Sequence, residues 1–346
     1  MRVAILYDGG ADSWTDEDIR QVLEVVAGVG RVLRERGHEV IRVPVRDGLG
    51  WVGKCRKAEL VFNLCEGVAA ISRLESLVVG TLELTGVPFT GCRTRTISLC
   101  HSKPLVNSFL AAQGVPTPRW IQPRGHRVPA DFPLPAFVKP AAEDASVGID
   151  QGSVVTSRRA LESRVVKLTE QFDDVIVQQY VHGREFAVGF VGDQTLPISE
   201  IDFSAMPDGA WPILSFDAKW NEGSAEDVGS QPVCPAKVPK ALSEKLVAVA
   251  KQAWATVGGS GYGRVDMRVD EQNQPWVIEV NPNPDLSEDA GLARMARAGG
   301  WEYEELVLQI ADAALTEAEQ TASAALLTAG TKSRAESSST TGRSPA

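Results

Sequence analysis

Over the first 120 residues, short apolar runs alternate with amphipathic stretches. Val3 to Tyr7 reads as a buried strand. Thr15, with Asp18 three residues on, resembles a capping box. It opens a helix whose apolar positions Ile19, Leu23, Val26 and Val29 recur at helical spacing. Strands follow near 40–43 and 60–64, then a helix over 74–84 and a short strand over 87–89. This rhythm predicts an α/β fold, a parallel sheet with helices on its faces. Pro116, Pro118, Pro123, Pro129, Pro133 and Pro135 then break the pattern and mark a domain boundary.

Beyond the prolines the pattern gives a strand over 136–139, a small-residue loop over 141–152, a strand over 153–155, a helix over 158–171 and a strand over 175–179. From Arg184 it turns antiparallel, so the C-terminal part is α+β. Strands over 184–191 and 195–201 meet at the turn signal Gly192-Asp193. Residues 204–235 form a long loop of the kind that is functional or mobile. A helix over 240–256, a hairpin and helices over 288–298 and 302–317 follow. Ser287 is a good N-cap for the first of these, with Glu288 and Asp289 suited to its first turn. From about Thr328 the chain is rich in Ser, Thr, Gly and Ala, which predicts a disordered tail. The expected division is an N-terminal domain over 1–100, a small central unit over 101–183, a C-terminal unit over 184–320 and a tail over 321–346.

The hairpin is the most informative stretch. With its turn centred on Gln272-Asn273, Val265 faces Val280, Met267 faces Ile278 and Val269 faces Trp276, which makes one apolar face and fixes the register. On the other face Arg264 opposes Asn281 and Asp266 opposes Glu279. Two opposed carboxylates, with Cβ atoms about 5 Å apart, are destabilising unless something cationic sits between them. Arg264 and Arg268 could serve. So could a hard divalent cation, because Asp, Glu and Asn oxygens are its preferred ligands.

Composition narrows the reading. A chain of 346 residues with 43% hydrophobic and 23% charged residues suits a globular protein of two or three domains. The net charge of −10 argues against a general nucleic-acid binder. Five cysteines without a Cys-x-x-Cys pair, and four scattered histidines, suggest neither a zinc site nor a disulfide framework. The N-terminal apolar run is too short for a signal peptide, and no apolar stretch is long enough for a membrane helix. A cytoplasmic protein without nucleic-acid or membrane partners is expected.

The Arg-x-Asp strand followed by a Glu-x-Asn strand resembles the C-terminal signature of the ATP-grasp superfamily. The likeness runs over most of residues 1–317 and is closest to D-alanine–D-alanine ligase. It implies an ATP-grasp fold with a preceding parallel-sheet domain. It implies ATP as substrate and two Mg²⁺ ions, with Mn²⁺ as a substitute, on Asp266, Glu279 and Asn281. Arg264 takes the place of the Arg that stabilises charge during reaction. Phe137-Val138-Lys139-Pro140 and His101-Ser102-Lys103 match segments whose lysines reach the phosphates; read alone, each Lys is an ordinary surface charge. The segment from Glu143 to Gly148, with Ser146, stands where a small-residue loop closes over the phosphates. Gln178 and Val181 lie in the segment resembling the adenine-binding linker, with Gln where the family often has Glu. Glu185 matches the ribose-binding acid; its plain alternative is a surface pairing with Arg184. Ala218-Lys219-Trp220 resembles the mobile loop that brings a Lys to the transferred phosphoryl group, with Trp for the ligase's Tyr and no evident N-terminal acid to pair with it.

The chain departs from the ligase on the substrate side. Asp285 replaces a Gly near the oxyanion site, and Ala290 falls where a Ser would bind the acceptor carboxylate. The His-containing run lining the first-substrate pocket is replaced by Asn63-Leu64-Cys65-Glu66-Gly67. Glu66, Arg73, Asp285 and Asp289 are the candidate substrate contacts. The implied reaction joins a small carboxylate to an amine through an acyl phosphate, with an acceptor other than D-alanine. Two alternatives stand beside it: a true D-alanine–D-alanine ligase, and an ATP-binding protein without ligase activity or a phosphotransferase. Dimers are common in the family, so a homodimer is the assembly the resemblance implies.

Overall fold

A computed structural model describes residues 1–339 apart from 12–13, 47, 70 and 126, with side chains described up to residue 323. In chain order, the N-terminal part contains β1 (Arg2–Asp8), α1 (Asp16–Glu35), β2 (Glu39–Val45), α2 (Val52–Cys55), β3 (Leu60–Leu64), α3 (Glu75–Thr85), α4 (Thr94–Cys100) and α5 (Lys103–Ala112). The middle contains β4 (Trp120–Ile121), β5 (Ala136–Pro140), β6 (Val154–Val155), α6 (Arg158–Thr169) and β7 (Val175–Gln179). The rest contains β8 (Arg184–Val191), β9 (Gln194–Thr195), β10 (Ser199–Asp202), α7 (Phe216–Trp220), α8 (Ala225–Val228), β11 (Gln231–Val233), α9 (Lys240–Val257), β12 (Tyr262–Val269), β13 (Pro275–Asn281), α10 (Gly291–Ala298) and α11 (Tyr303–Ser339).

Three sheets result. The first is parallel, in the order β2-β1-β3. The second is antiparallel, β4-β7-β5-β6. The third is antiparallel, β11-β10-β8-β12-β13, with β9 on β8. The predicted capping box is present at Thr15 and Asp18. Only its helix's later turns are buried, through Val26, Val29, Val32 and Leu33, whereas Ile19 and Leu23 are exposed. The strand expected over 87–89 is reduced to a single bridge between Phe89 and Val61. The strand expected over 195–201 splits into β9 and β10 because Pro197 between them has no N–H to give the ladder. Ser287 does not cap α10: its N–H and Oγ both bond back to Asp285 Oδ1, and Ala290 holds the cap position. The tail expected over 321–346 begins inside α11, and residues 340–346 lie outside the described ones.

Core packing groups the elements. One apolar cluster joins β1 and β2 to β8, β12, β13 and α9, and it includes Val106 and Leu110 of α5. Another joins Val3, Ile5 and α1 to Tyr262, Leu292 and α11. Residues from Phe132 to Val177 have a core of their own, around Ala136, Val138, Leu161 and Val165. Burying each such Val, Leu or Ile contributes roughly 1.5–3 kcal/mol. The N-terminal sheet and the third sheet therefore share their cores, and the middle unit has its own, with a small cluster of Val154, Tyr180 and Ile213 joining it to the segment before α7.

Candidate active site

Sheet register places the hairpin chemistry. Arg264 opposes Asn281, Val265 opposes Val280 and Asp266 opposes Glu279, as the sequence predicts. The pairing then shifts: Met267 opposes Val277, Arg268 opposes Trp276 and Val269 opposes Pro275. The predicted partners Ile278 for Met267 and Trp276 for Val269 are thus wrong by one residue. Asp270 is the cause. Its carboxylate takes the N–H groups of Gln272 and Gln274 and the indole of Trp276 at 3.0, 2.8 and 2.8 Å, which holds a wider loop than a two-residue turn. The extra residue is absorbed as a bulge at Ile278. The Ile278 carbonyl accepts the buried Lys139 Nζ at 3.4 Å.

In the protein alone, the opposed carboxylates are neutralised by side chains. Arg264 grips Asp266 with Nε and Nη2 at 2.7 and 2.9 Å. Lys103 Nζ lies 3.3 Å from Glu279 and 3.0 Å from Asp144, and donates to the Glu143 carbonyl at 2.5 Å. Arg268 pairs elsewhere, with Glu185 directly across the sheet at 3.2 Å. Glu185 therefore does not pair with Arg184, which holds Glu200 at 2.6 Å. Burial opposes charge on Glu279, but Lys103, Lys139, Lys219 and Arg264 outweigh it and hold the carboxyl well below its usual range. Burial lowers Lys139 to about 8, with Lys103 adding repulsion and Glu279 partly offsetting it. On Lys103 burial is overcome by Glu279 and Asp144, so its pKa rises. Lys219 borders the cleft, accessible yet ringed by protein, and burial pulls it down against the attraction of Glu279.

The small-residue loop is held against the segment 204–235, which is not the continuous loop expected from the sequence but carries α7, α8 and β11. Ala145 and Ser146 are successive non-glycine residues at φ 52° and 62°, a conformation that costs of order 1–3 kcal/mol each unless its surroundings hold it. Ser146 Oγ donates to the Leu214 carbonyl at 2.8 Å. Trp220 Nε1 donates to the Ala145 carbonyl at 2.9 Å. Closure is thus made by an indole and a backbone carbonyl. On the linker side Val181 is buried, and Gln178 is buried with Nε2 lacking a hydrogen-bond partner among the described residues. Such an orphaned group fits a site completed by a ligand.

The N-terminal body supplies residues the motif reading did not single out. Glu75, on α3, is buried and takes His101 Nε2 on one oxygen and Asn283 Nδ2 on the other, both at 2.9 Å. Tyr262 donates to Asn283 Oδ1 at 2.6 Å, and the Asn283 N–H donates to Asn281 Oδ1 at 3.0 Å. A chain of bonds therefore runs from α3 to Asn281. Asp8, at the end of β1, accepts the N–H groups of Gly10 and Ala69. Glu66 opens to the cleft; enclosure by protein raises its pKa to about 8, with Asp285, Glu75, Asp144 and Asp8 adding to the push. Asp285 is exposed, turned toward Ser287. Arg73 is exposed and makes no ion pair among the described residues. Asp289 enters through its carbonyl, which Arg294 Nη1 meets. Sequence spacing could not single out Glu75 or Asn283, because the bond that joins them spans 208 positions.

A carboxylate-bearing antiparallel sheet, lysines converging on it from three elements, and a small-residue loop closed over them define an ATP-grasp ligase. The family described as "D-ala D-ala ligase C-terminus" matches residues 115–312. The D-alanine--D-alanine ligase of Gluconobacter oxydans is 30% identical over 88% of this chain and 96% of that one. That of Sphingopyxis alaskensis is 30% identical over 91% and 98%. The crystal structure of the Bacillus anthracis D-alanine--D-alanine ligase complexed with ATP covers 93% of this chain and 99% of that one, with a TM-score of 0.74 at 22% identity. The chain belongs to the D-alanine–D-alanine ligase family, and it is an ATP-dependent, ADP-forming ligase. Among the described residues no helix is long and apolar enough to cross a membrane.

Proposed function

We propose that this ligase activates the carboxylate of a small acid, an amino acid in the best-supported reading, and joins it to the amine of an acceptor other than D-alanine, in the cytoplasm. The departure from D-alanine is carried by one observation: Ala290 holds the N-cap position of α10 and offers no hydroxyl to an acceptor carboxylate, while Asp285, five residues earlier, stands exposed.

The donor carboxylate oxygen attacks the γ-phosphorus of ATP, and the bond to the ADP oxygen breaks. The acceptor nitrogen then attacks the acyl carbon, and phosphate leaves with the donor's oxygen. Lys103, Lys139 and Lys219 hold phosphates as point charges. Ser146 and its neighbours keep water from the acyl phosphate. Gln178 and Val181 face adenine, and Glu185 the ribose. Asp266 holds Arg264 by two nitrogens, which leaves Nη1 near Gly291 to stabilise the tetrahedral oxyanion. Asp266, Glu279 and Asn281 offer hard oxygens in one register, and each carboxylate has lone pairs beyond those given to Arg264 and Lys103. They fit Mg²⁺, which when bound neutralises phosphate charge.

A second reading, synthesis of D-alanyl–D-alanine, is favoured by the names of the curated relatives. The discriminating experiment measures ADP release with Mg²⁺-ATP across D- and L-amino acids and polyamines, singly and in pairs, with products identified by mass. A pair requirement with a condensed product supports the proposal. Full activity with D-alanine alone returns the second reading, and ATP binding without ADP release from any pair would sink both.

A further inference from the structure

His101, between α4 and α5, stands between two carboxylates from different parts of the chain. Its Nε2 lies 2.9 Å from Glu75 of α3, and its Nδ1 lies 4.0 Å from Asp144 Oδ2 on the small-residue loop. The His101 side chain is 13% exposed and that of Asp144 48%. His101 Nδ1 is buried without a hydrogen-bond partner among the described residues. An ionised carboxylate only accepts, so Glu75 takes the Nε2 proton whether the ring is neutral or charged. In the neutral ring Nδ1 then turns a lone pair toward Asp144, and in the imidazolium it turns an N–H. Burial opposes the charged ring, but Glu75 and Asp144 outweigh it against the repulsion of Lys103, so the pKa of His101 is raised. Glu75 from α3, Asp144 from the loop and Lys103 from α5 are the charged groups that face the ring.

Asp144 has a second partner, which the reaction takes away. Its Oδ1 accepts Lys103 Nζ at 3.0 Å, and Lys103 is one of the lysines assigned to the phosphates. When Lys103 turns to them, Asp144 loses a cation on a loop that closes over a polyanion, where an unneutralised carboxylate is repelled. We propose that His101 is a positioning residue for the phosphate site: as an imidazolium anchored by Glu75, it holds Asp144 and keeps the small-residue loop closed when Lys103 leaves Asp144 for ATP. His101 acts through Asp144 and touches no substrate. Glu75 also holds Asn283, so the ring ties the loop to the network behind the metal-side hairpin. The charged ring favours closure below its pKa, and the contribution is lost as pH rises through it. The inference rests on the reading that places the ATP phosphates at Lys103.

The test measures Kd for Mg²⁺ with a non-hydrolysable ATP analogue at pH 6.0 and pH 9.0, each variant against its parent so that titration of Lys139 cancels. A Gln at position 101 can still donate to Glu75 but carries no charge. His101→Gln should bind about fivefold more weakly than wild type at pH 6.0, the size of one half-exposed ion pair, and within about twofold at pH 9.0. In the Asp144→Asn background, a change at a half-exposed loop position, adding His101→Gln should alter Kd by less than about twofold at either pH. A loss equal at both pH values, or one that persists undiminished beside Asp144→Asn, would make His101 a brace for Glu75 alone and overturn the proposal.

The ring itself gives a second reading, by NMR titration of the imidazoles with the His101 signal identified by its loss in His101→Gln. In the free protein Asp144→Asn should lower the pKa of His101 by about half a unit or more. Saturating the wild type with the analogue should raise it by a similar amount. A His101 pKa unmoved by Asp144→Asn overturns the proposal whether or not nucleotide binds, and so does an analogue that binds without moving it. If the free-protein shift is present but the analogue does not bind, the ATP reading of the cleft fails first and takes the proposal with it.

Discussion

The lysine cluster shows how much one residue's surroundings decide. Lys139 is buried beside a second cation and sits at about 8, below its ordinary value. The free protein thus carries it partly neutral at pH 8.5, and a bound phosphate restores the charge. ATP binding should take up a fraction of a proton at pH 8.5 and none through this residue at pH 6.5. Calorimetry in buffers of different ionisation enthalpy reads this directly; Lys139→Met should remove the uptake, and proton release at pH 8.5 would refute the assignment. Glu66 works in the opposite sense. Its raised pKa of about 8 leaves it mostly protonated at pH 7, and an arriving ammonium favours the ionised form. Binding of the cationic substrate at pH 7 should release a proton, and Glu66→Gln should abolish that release. The pairing of Arg264 with Asn281 and of Asp266 with Glu279 was legible from two strands, because the apolar face of the hairpin fixes which residues share the other face. Glu75 and Asn283 were not, because their bond to each other joins positions that only the folded chain brings near.

At the scale of elements, alternation and capping carried most strands and helices to within a few residues. What periodicity did not carry was the register beyond Asp266. A carboxylate at Asp270 collecting three N–H donors outweighed the preference for a tight turn, and the bulge at Ile278 followed. The same limitation applies to closure of the loop over the phosphates. A Tyr-based closure is absent from the sequence, yet the Trp220 indole reaches the Ala145 carbonyl at 2.9 Å and does the joining. Trp220→Phe keeps an aromatic ring, smaller than the indole, and removes the donor, a change of about 1 kcal/mol for the hydrogen bond. The expected outcome is a several-fold rise in KM for ATP together with ADP release that exceeds amide formation, because water reaches the acyl phosphate. Paired assays of ADP and amide check this; a variant whose two yields stay equal would show that the indole does not govern closure.

Across the whole molecule, the N-terminal sheet and the third sheet share apolar clusters, while the middle unit keeps its own. Asn283 ties the first two at the site itself, with Glu75 on one side and Tyr262 on the other. Replacing it by Ala leaves buried polar groups unpaired, at a cost of about 1–3 kcal/mol. Asn283→Ala should therefore unfold several degrees lower and bind Mn²⁺ more weakly, since the Asn283 N–H that holds Asn281 Oδ1 lies on the same residue. Thermal unfolding and a Mn²⁺ titration read both effects, and an unchanged melting temperature would contradict this role.

The central claim is that a donor carboxylate is phosphorylated before the amine attacks. Its most direct test uses the donor found in the paired screen, labelled with ¹⁸O in its carboxylate. The inorganic phosphate released should carry one ¹⁸O, and the amide should keep one. Phosphate free of label, formed at the rate of amide synthesis, would show that the carboxylate is never phosphorylated and would contradict the account.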